Sequence, residues 1–165
     1  MPLIIEDGSI VAGASSFVTV EQFVAYAKAR NISIPVISSE REALLIRAVD
    51  YLFSKEQELK GSRVSPDQEL MYPRKGVCAN GFIVASDAIP SNLKNAQMEL
   101  GMQAHTSDLL ISGTNQNLES FNVDGVYSES YHSGGSWEQV RTERADAYLN
   151  PLLNNNGSSN LMTRV

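Results

Sequence analysis

The sequence predicts a mainly α domain, a small bundle of about four helices with a β-hairpin insertion and an extended C-terminal tail. Three observations carry that prediction. Apolar residues recur at helical spacing in several stretches separated by turn formers. The dipeptides Asn80-Gly81 and Asp124-Gly125 are hairpin turns in the making. The run NNNGSSNLMTRV from Asn154 is too polar and simple for a core. Residues 1–153 are therefore expected to form one helical domain with a hairpin near 119–131, and residues 154–165 a flexible tail.

Taken in order, Leu3, Ile4 and Ile5 read as a brief edge strand or anchored arm, ended by Glu6, Asp7 and Gly8. Thr19 and Gln22 have capping-box spacing and start the first helix, with Val20, Phe23, Val24 and Ala27 on one face. Asn31 and Pro35 end it. Ser39 and Glu42 predict a second capping box, ahead of a helix from about Glu40 to Lys55. Its stripe is Leu44, Leu45, Ala48, Val49, Leu52 and Phe53, and Arg47 with Asp50 reads as a surface ion pair.

The stretch Gly61 to Gly76 is too rich in Gly, Pro and charge for helix. Yet Leu70, Met71, Tyr72 and Val77 demand burial, while Arg63, Arg74 and Lys75 demand partners, so the scaffold is expected to hold this loop in one shape. Val77 and Phe82 to Val84 flank Asn80-Gly81 as a small hairpin. Pro90 opens a helix of about Ser91 to Leu110, slightly weakened by Gly101. A last helix starts at Glu138 or Glu143 and runs to Leu149, with Ala145, Tyr148, Leu149 and Leu152 on its apolar side. Trp137 is expected to dock the hairpin or to pack under this helix.

At 165 residues the chain is long enough for a real core. No apolar run approaches the roughly 20 residues of a membrane span. No basic stretch opens the chain, so no secretory signal is expected. One cysteine, Cys78, excludes an internal disulfide and a Cys-rich zinc site, which suits a reducing cytoplasmic setting. With 13 basic and 19 acidic residues the net charge is −6, which argues mildly against a general nucleic-acid binder. Residues 76–140 hold Lys94 against Asp87, Glu99, Asp108, Glu119, Asp124, Glu129 and Glu138, a negative field suited to pairing with another surface.

Catalytic signals are missing. His105 and His132 lack metal-ligand neighbours, no histidine is tied to Cys78, and Asp87 and Glu99 are no recognisable acid–base pair. Neither phosphate-cradling glycine motif is present. The expectation is a protein that is not an enzyme and has no cofactor and no metal. Basic residues of 55–75 lie near Tyr51, Phe53 and Tyr72, the ingredients of single-strand binding. The interleaved acids favour intrachain salt bridges instead.

The segments LIIEDG, SSFVTVEQFVAYAKAR, EREALLIRAVDYL, GSRVSPDQELMYPRKGV, DAIPSNLKNAQMELGMQA and DAYLNPLL resemble, in order, the phage family of DnaT-like single-stranded-DNA-binding proteins. The most specific part is Gly61, Arg63, Pro66, Gln68, Leu70, Tyr72, Pro73 and Arg74, where Tyr72 departs from a frequent Trp. The resemblance implies a structural virion protein, a head-to-tail adaptor in the neck, assembled in the host cytoplasm. On this reading it forms a dodecameric ring between portal and tail around the DNA channel. Its partners are its own copies, the portal protein and a downstream neck or tail protein. DNA passes through without sequence-specific binding, and no membrane is involved. Candidate subunit or portal contacts are Arg47, Arg63, Arg74, Lys75, Leu161, Met162 and Val165. The alternative is a single-stranded-DNA-binding replication accessory protein.

Overall fold

The computed structural model describes residues 3–110 and 142–154. The hairpin expected near 119–131, Trp137 and the tail beyond Asn154 lie outside them. Among the described residues are four α-helices: α1 (Val20–Ala29), α2 (Ser38–Ser54), α3 (Ser91–Thr106) and α4 (Glu143–Leu149). They are accompanied by two small antiparallel pairs, β1 (Ser62–Arg63) with β2 (Arg74–Lys75), and β3 (Cys78–Ala79) with β4 (Phe82–Ile83). The result is a helical bundle with hairpins, more mixed than the mainly α expectation. Its central helix is α3, against which α1, α2 and α4 all pack.

The cap of α1 forms as its spacing predicts. Thr19 Oγ1 accepts from the Gln22 amide at 3.2 Å, and Gln22 Oε1 accepts from the Thr19 amide at 3.0 Å. The capping box expected at Ser39 and Glu42 does not form. Helix α2 starts at Ser38 behind Ile37, which offers no side-chain cap. Ser39 is thus already inside the first turn, where its helical backbone cannot act as a cap. The rest of α2 follows its pattern: Leu44, Leu45, Ala48, Val49 and Leu52 are buried and Phe53 packs at the edge.

Helix α3 ends at Thr106, before the expected Leu110, which stays exposed. Gly101 does more than weaken it. A Cβ there would come 3.2 Å from the Phe23 ring, so the glycine lets α1 seat closely on α3. Gln97, fully buried on α3, accepts from the Phe17 amide at 3.0 Å and donates to Ser16 Oγ at 2.8 Å and Leu45 C=O at 3.2 Å. One amide thereby ties the N-terminal segment, α2 and α3 together, and leaves none of its own groups unsatisfied.

The N-terminal arm is a tight turn wrapped on a carboxylate. Ile5 bridges Ser16 in parallel. Buried Glu6 accepts from the amides of Gly8 at 2.8 Å, Ile10 at 3.0 Å and Val11 at 2.9 Å. Gly8 has φ +112°, and a Cβ on it would fall 1.8 Å from Asp87 C=O, so this turn rests directly on the loop before α3.

Candidate functional site

The stretch Gly61 to Gly76 is closed at its base by β1 and β2, with Ser62 opposite Lys75 and Arg63 opposite Arg74. Closure needs glycine at 61: φ is +70°, and a Cβ would lie 2.3 Å from Lys75 C=O. Leu70, Met71 and Tyr72 are pinned in the core, as their apolar character predicts. Gln68 fills the interior of the loop. Its Oε1 accepts from Val64 N at 2.9 Å and Ser65 N at 3.2 Å, and its Nε2 donates to Leu70 C=O at 2.8 Å and Pro73 C=O at 3.1 Å.

Both motif arginines bond within the chain. Arg63 grips Glu56 with two donors, Nε at 2.6 Å and a terminal nitrogen at 2.8 Å, and donates to Gln68 C=O at 2.9 Å. This pair, with Arg74 nearby, holds the Glu56 carboxyl below the usual carboxylate range. Arg74 is buried and donates to Lys60 C=O at 2.8 Å and Gly61 C=O at 2.7 Å. Arg47 pairs with Asp108 beyond α3 and donates to Ala104 C=O at 2.8 Å, in place of the expected pair with Asp50. Packing of α2 on α3 brings Ala104 C=O and Asp108, just past the end of α3, within reach of Arg47. Lys75 is exposed; Leu161, Met162 and Val165 lie outside the described residues.

Beyond β2 the chain makes the hairpin that Asn80-Gly81 predicts. Asn80 has φ +52° and Gly81 φ +83°, the left-handed pair that suits a two-residue turn. Cys78 faces Ile83 and Ala79 faces Phe82. Val84 N donates to Val77 C=O at 3.0 Å, and buried Val77 roots the hairpin. Among the described residues nothing covers its outer end: Phe82 is 77% exposed and Ile83 88%. Their place after Asn80-Gly81 predicts a hairpin but not that these two side chains face water. The available signal was their partners, because the short Cys78 and Ala79 shield little on either side.

The hairpin is braced from below. Lys60 Nζ donates to Cys78 C=O at 3.2 Å and to Pro151 C=O at 2.9 Å. Leu59 bridges Leu153, and Asn154 N donates to Glu58 C=O at 2.6 Å. The local charge also departs from the whole. Residues 55–84 carry Lys55, Lys60, Arg63, Arg74 and Lys75 against Glu56, Glu58, Asp67 and Glu69, five minus four, or +1 in a chain of −6. Glu56 and Glu58 are paired with Arg63 and Lys55. Lys75 has no salt bridge among the described residues. An exposed aromatic and alkyl pair can stack a flat apolar ring, and an exposed lysine on the strand before the hairpin can hold an anion.

Elsewhere the polar clusters serve packing. Arg30 lies 3.3 Å above the Tyr26 ring centroid and 3.3 Å from Glu99, joining α1 to α3. A shallow groove at the end of α1, lined by residues such as Val24, Ile32 and Ile34, gathers no converging charges. His105 is exposed on α3, and His132 is outside the described residues. No three potential metal ligands come together among the described residues.

A family model described as "Putative DnaT-like ssDNA binding protein" matches residues 1–165. No curated protein and no solved structure matches the chain. The family match overturns the expectation of a head-to-tail adaptor with portal, tail and ring partners, and of DNA as mere passing cargo. The adaptor expectation came from the resemblance, and the net acidity of the whole chain argued mildly against nucleic-acid binding; a binding surface responds to local charge, and the 55–84 stretch is not acidic.

Proposed function

Because this chain belongs to the family of DnaT-like ssDNA binding proteins, we propose that it binds single-stranded DNA through the β3–β4 hairpin and Lys75. The observation that carries the placement is the exposure of Phe82 and Ile83 on a braced hairpin within a stretch that is not acidic in an acidic chain. Bases freed from a duplex offer both faces for stacking, and any base has a π-face, so a single exposed ring binds without reading sequence. The Lys75 ammonium neutralises an adjacent phosphate. The rigid root matters as well, because a ring held in place loses less entropy on binding than one on a mobile loop.

The role is binding and not catalysis, and it fits a reducing cytoplasmic setting in which Cys78 stays a thiol. We place the protein as an accessory to processes that expose single strands, replication among them. Fluorescence anisotropy with an oligo-dT strand at about 0.15 M salt tests the reading. Phe82→Ala is expected to cost about 1–3 kcal/mol of binding, the usual worth of one stacked base. Undiminished binding by Phe82→Ala refutes the placement, and no binding by the intact protein refutes the function.

A further inference from the structure

We infer that residues 161–165 of this same chain dock on the exposed Phe82 and Ile83 through Leu161, Met162 and Val165, and there compete with single-stranded DNA. The inference rests on the reading above and adds the regulation of that site. Its first ground is where the chain runs after α4. Asn154 N donates to Glu58 C=O at 2.6 Å and Asn154 Nδ2 to Leu59 C=O at 3.2 Å. Next to them is Lys60, whose ammonium holds the carbonyls of both Pro151 and Cys78. The chain thus passes Asn154 at the root of the hairpin, where Cys78 is paired with Ile83 across β3 and β4.

Length and composition supply the rest. The six residues 155–160 are all Asn, Gly or Ser, so none has an apolar side chain to bury on the way. Seven residue steps from Asn154 to Leu161, at about 3.3 Å each, give a reach of about 23 Å. Paired strands lie only about 5 Å apart, so that reach is ample. Leu161, Met162 and Val165 gain by leaving water together with an exposed ring and alkyl chain. A thioether also packs well at the edge of an aromatic ring. The tether makes the encounter intramolecular, at an effective concentration in the millimolar range. The other exposed apolar pair, Val36 and Ile37, lies ahead of α2, and no hydrogen bond among the described residues ties residues 150–154 to that stretch.

The single cysteine, Cys78, is exposed on β3, so its labelling by a maleimide reads the docking without DNA. Labelling of the intact chain is expected to be slower, by about threefold or more, than that of a full-length variant combining Leu161→Ser, Met162→Ser and Val165→Ser. In anisotropy with oligo-dT, the same variant is expected to bind about threefold to tenfold more tightly. Phe82→Ala is expected to remove the labelling difference, and a difference that persists overturns the placement. Equal labelling rates overturn the inference, by seating residues 161–165 elsewhere, Val36 and Ile37 included. Slower labelling with unchanged DNA affinity overturns the competition. Weaker DNA binding by the variant overturns it too, by making this segment a DNA contact. Absence of DNA binding by both proteins overturns the function itself, while the labelling rates still decide the docking.

Discussion

Replacing Arg74 with alanine measures what the motif arginine does for the chain's own fold. Its guanidinium makes two short bonds, to Gly61 C=O at 2.7 Å and Lys60 C=O at 2.8 Å, while contacts to Met71 C=O at 3.4 Å and Leu59 C=O at 3.5 Å are long. A hydrogen bond to a charged group nets about 1.5–3 kcal/mol, so the two short bonds alone set an expected loss of about 3–6 kcal/mol. The site is too enclosed, at 8% side-chain exposure, for water to restore those bonds freely. Urea unfolding followed by circular dichroism reads the loss. Arg74→Lys keeps the charge and most of the stem but not the fork, and is expected to recover less than half of it. That variant also keeps the experiment readable if the alanine protein unfolds. A loss below about 1 kcal/mol for alanine would refute the clamp, by showing that the carbonyls find other partners.

Three further outcomes are expected. Leu52→Ala, at the buried face of α2, should cost about 2–5 kcal/mol in the same assay, and a near-zero effect would mean the stripe is not core. Tyr72→Phe should be neutral or stabilising by about 1–3 kcal/mol at neutral pH, because the buried Tyr72 hydroxyl has no partner among the described residues. The same variant has a pH signature. Burial pushes the Tyr72 hydroxyl up to about 12, above its value of about 10 in the unfolded chain. The unfolded chain therefore ionises first, and stability present below pH ~10 is lost as pH rises toward 12, a loss that Tyr72→Phe should reduce in alkaline denaturation. Gly8→Ala should lower the melting temperature, since its Cβ would overlap Asp87 C=O and its φ is unfavourable for alanine; an unchanged melting temperature would show that the turn can shift.

The helices were legible because their signals are local. The capping box at Thr19 and the stripe of α2 depend only on residues a turn or two apart, and both appear as their spacing predicts. The turn at Asn80-Gly81 is equally local. What escaped depends on distant neighbours. Glu6 read as the end of an arm, yet it organises three amides because the chain folds back on itself there. Arg47 chose Asp108 over Asp50 once α2 was laid on α3. For the site, the motif stretch was recognisable by composition, and the burial of Leu70, Met71 and Tyr72 followed. The exposure of Phe82 and Ile83 did not, because alternation cannot tell a half-buried hairpin from one that projects into solvent.

The brace under the hairpin bears on the order of events during synthesis. Lys60 meets Pro151 across 91 residues, and Asn154 reaches Leu59 across 95. Local pieces such as the Asn80-Gly81 turn can form early in a nascent chain, whereas contacts of this span must wait and carry the entropy of closing a long loop. Until the ribosome has delivered Pro151, the Lys60 ammonium has only one of its two carbonyls to hold. The hairpin is therefore assembled early but secured late, and a chain interrupted before α4 would display Phe82 and Ile83 on an unsecured root, a form open to aggregation and proteolysis.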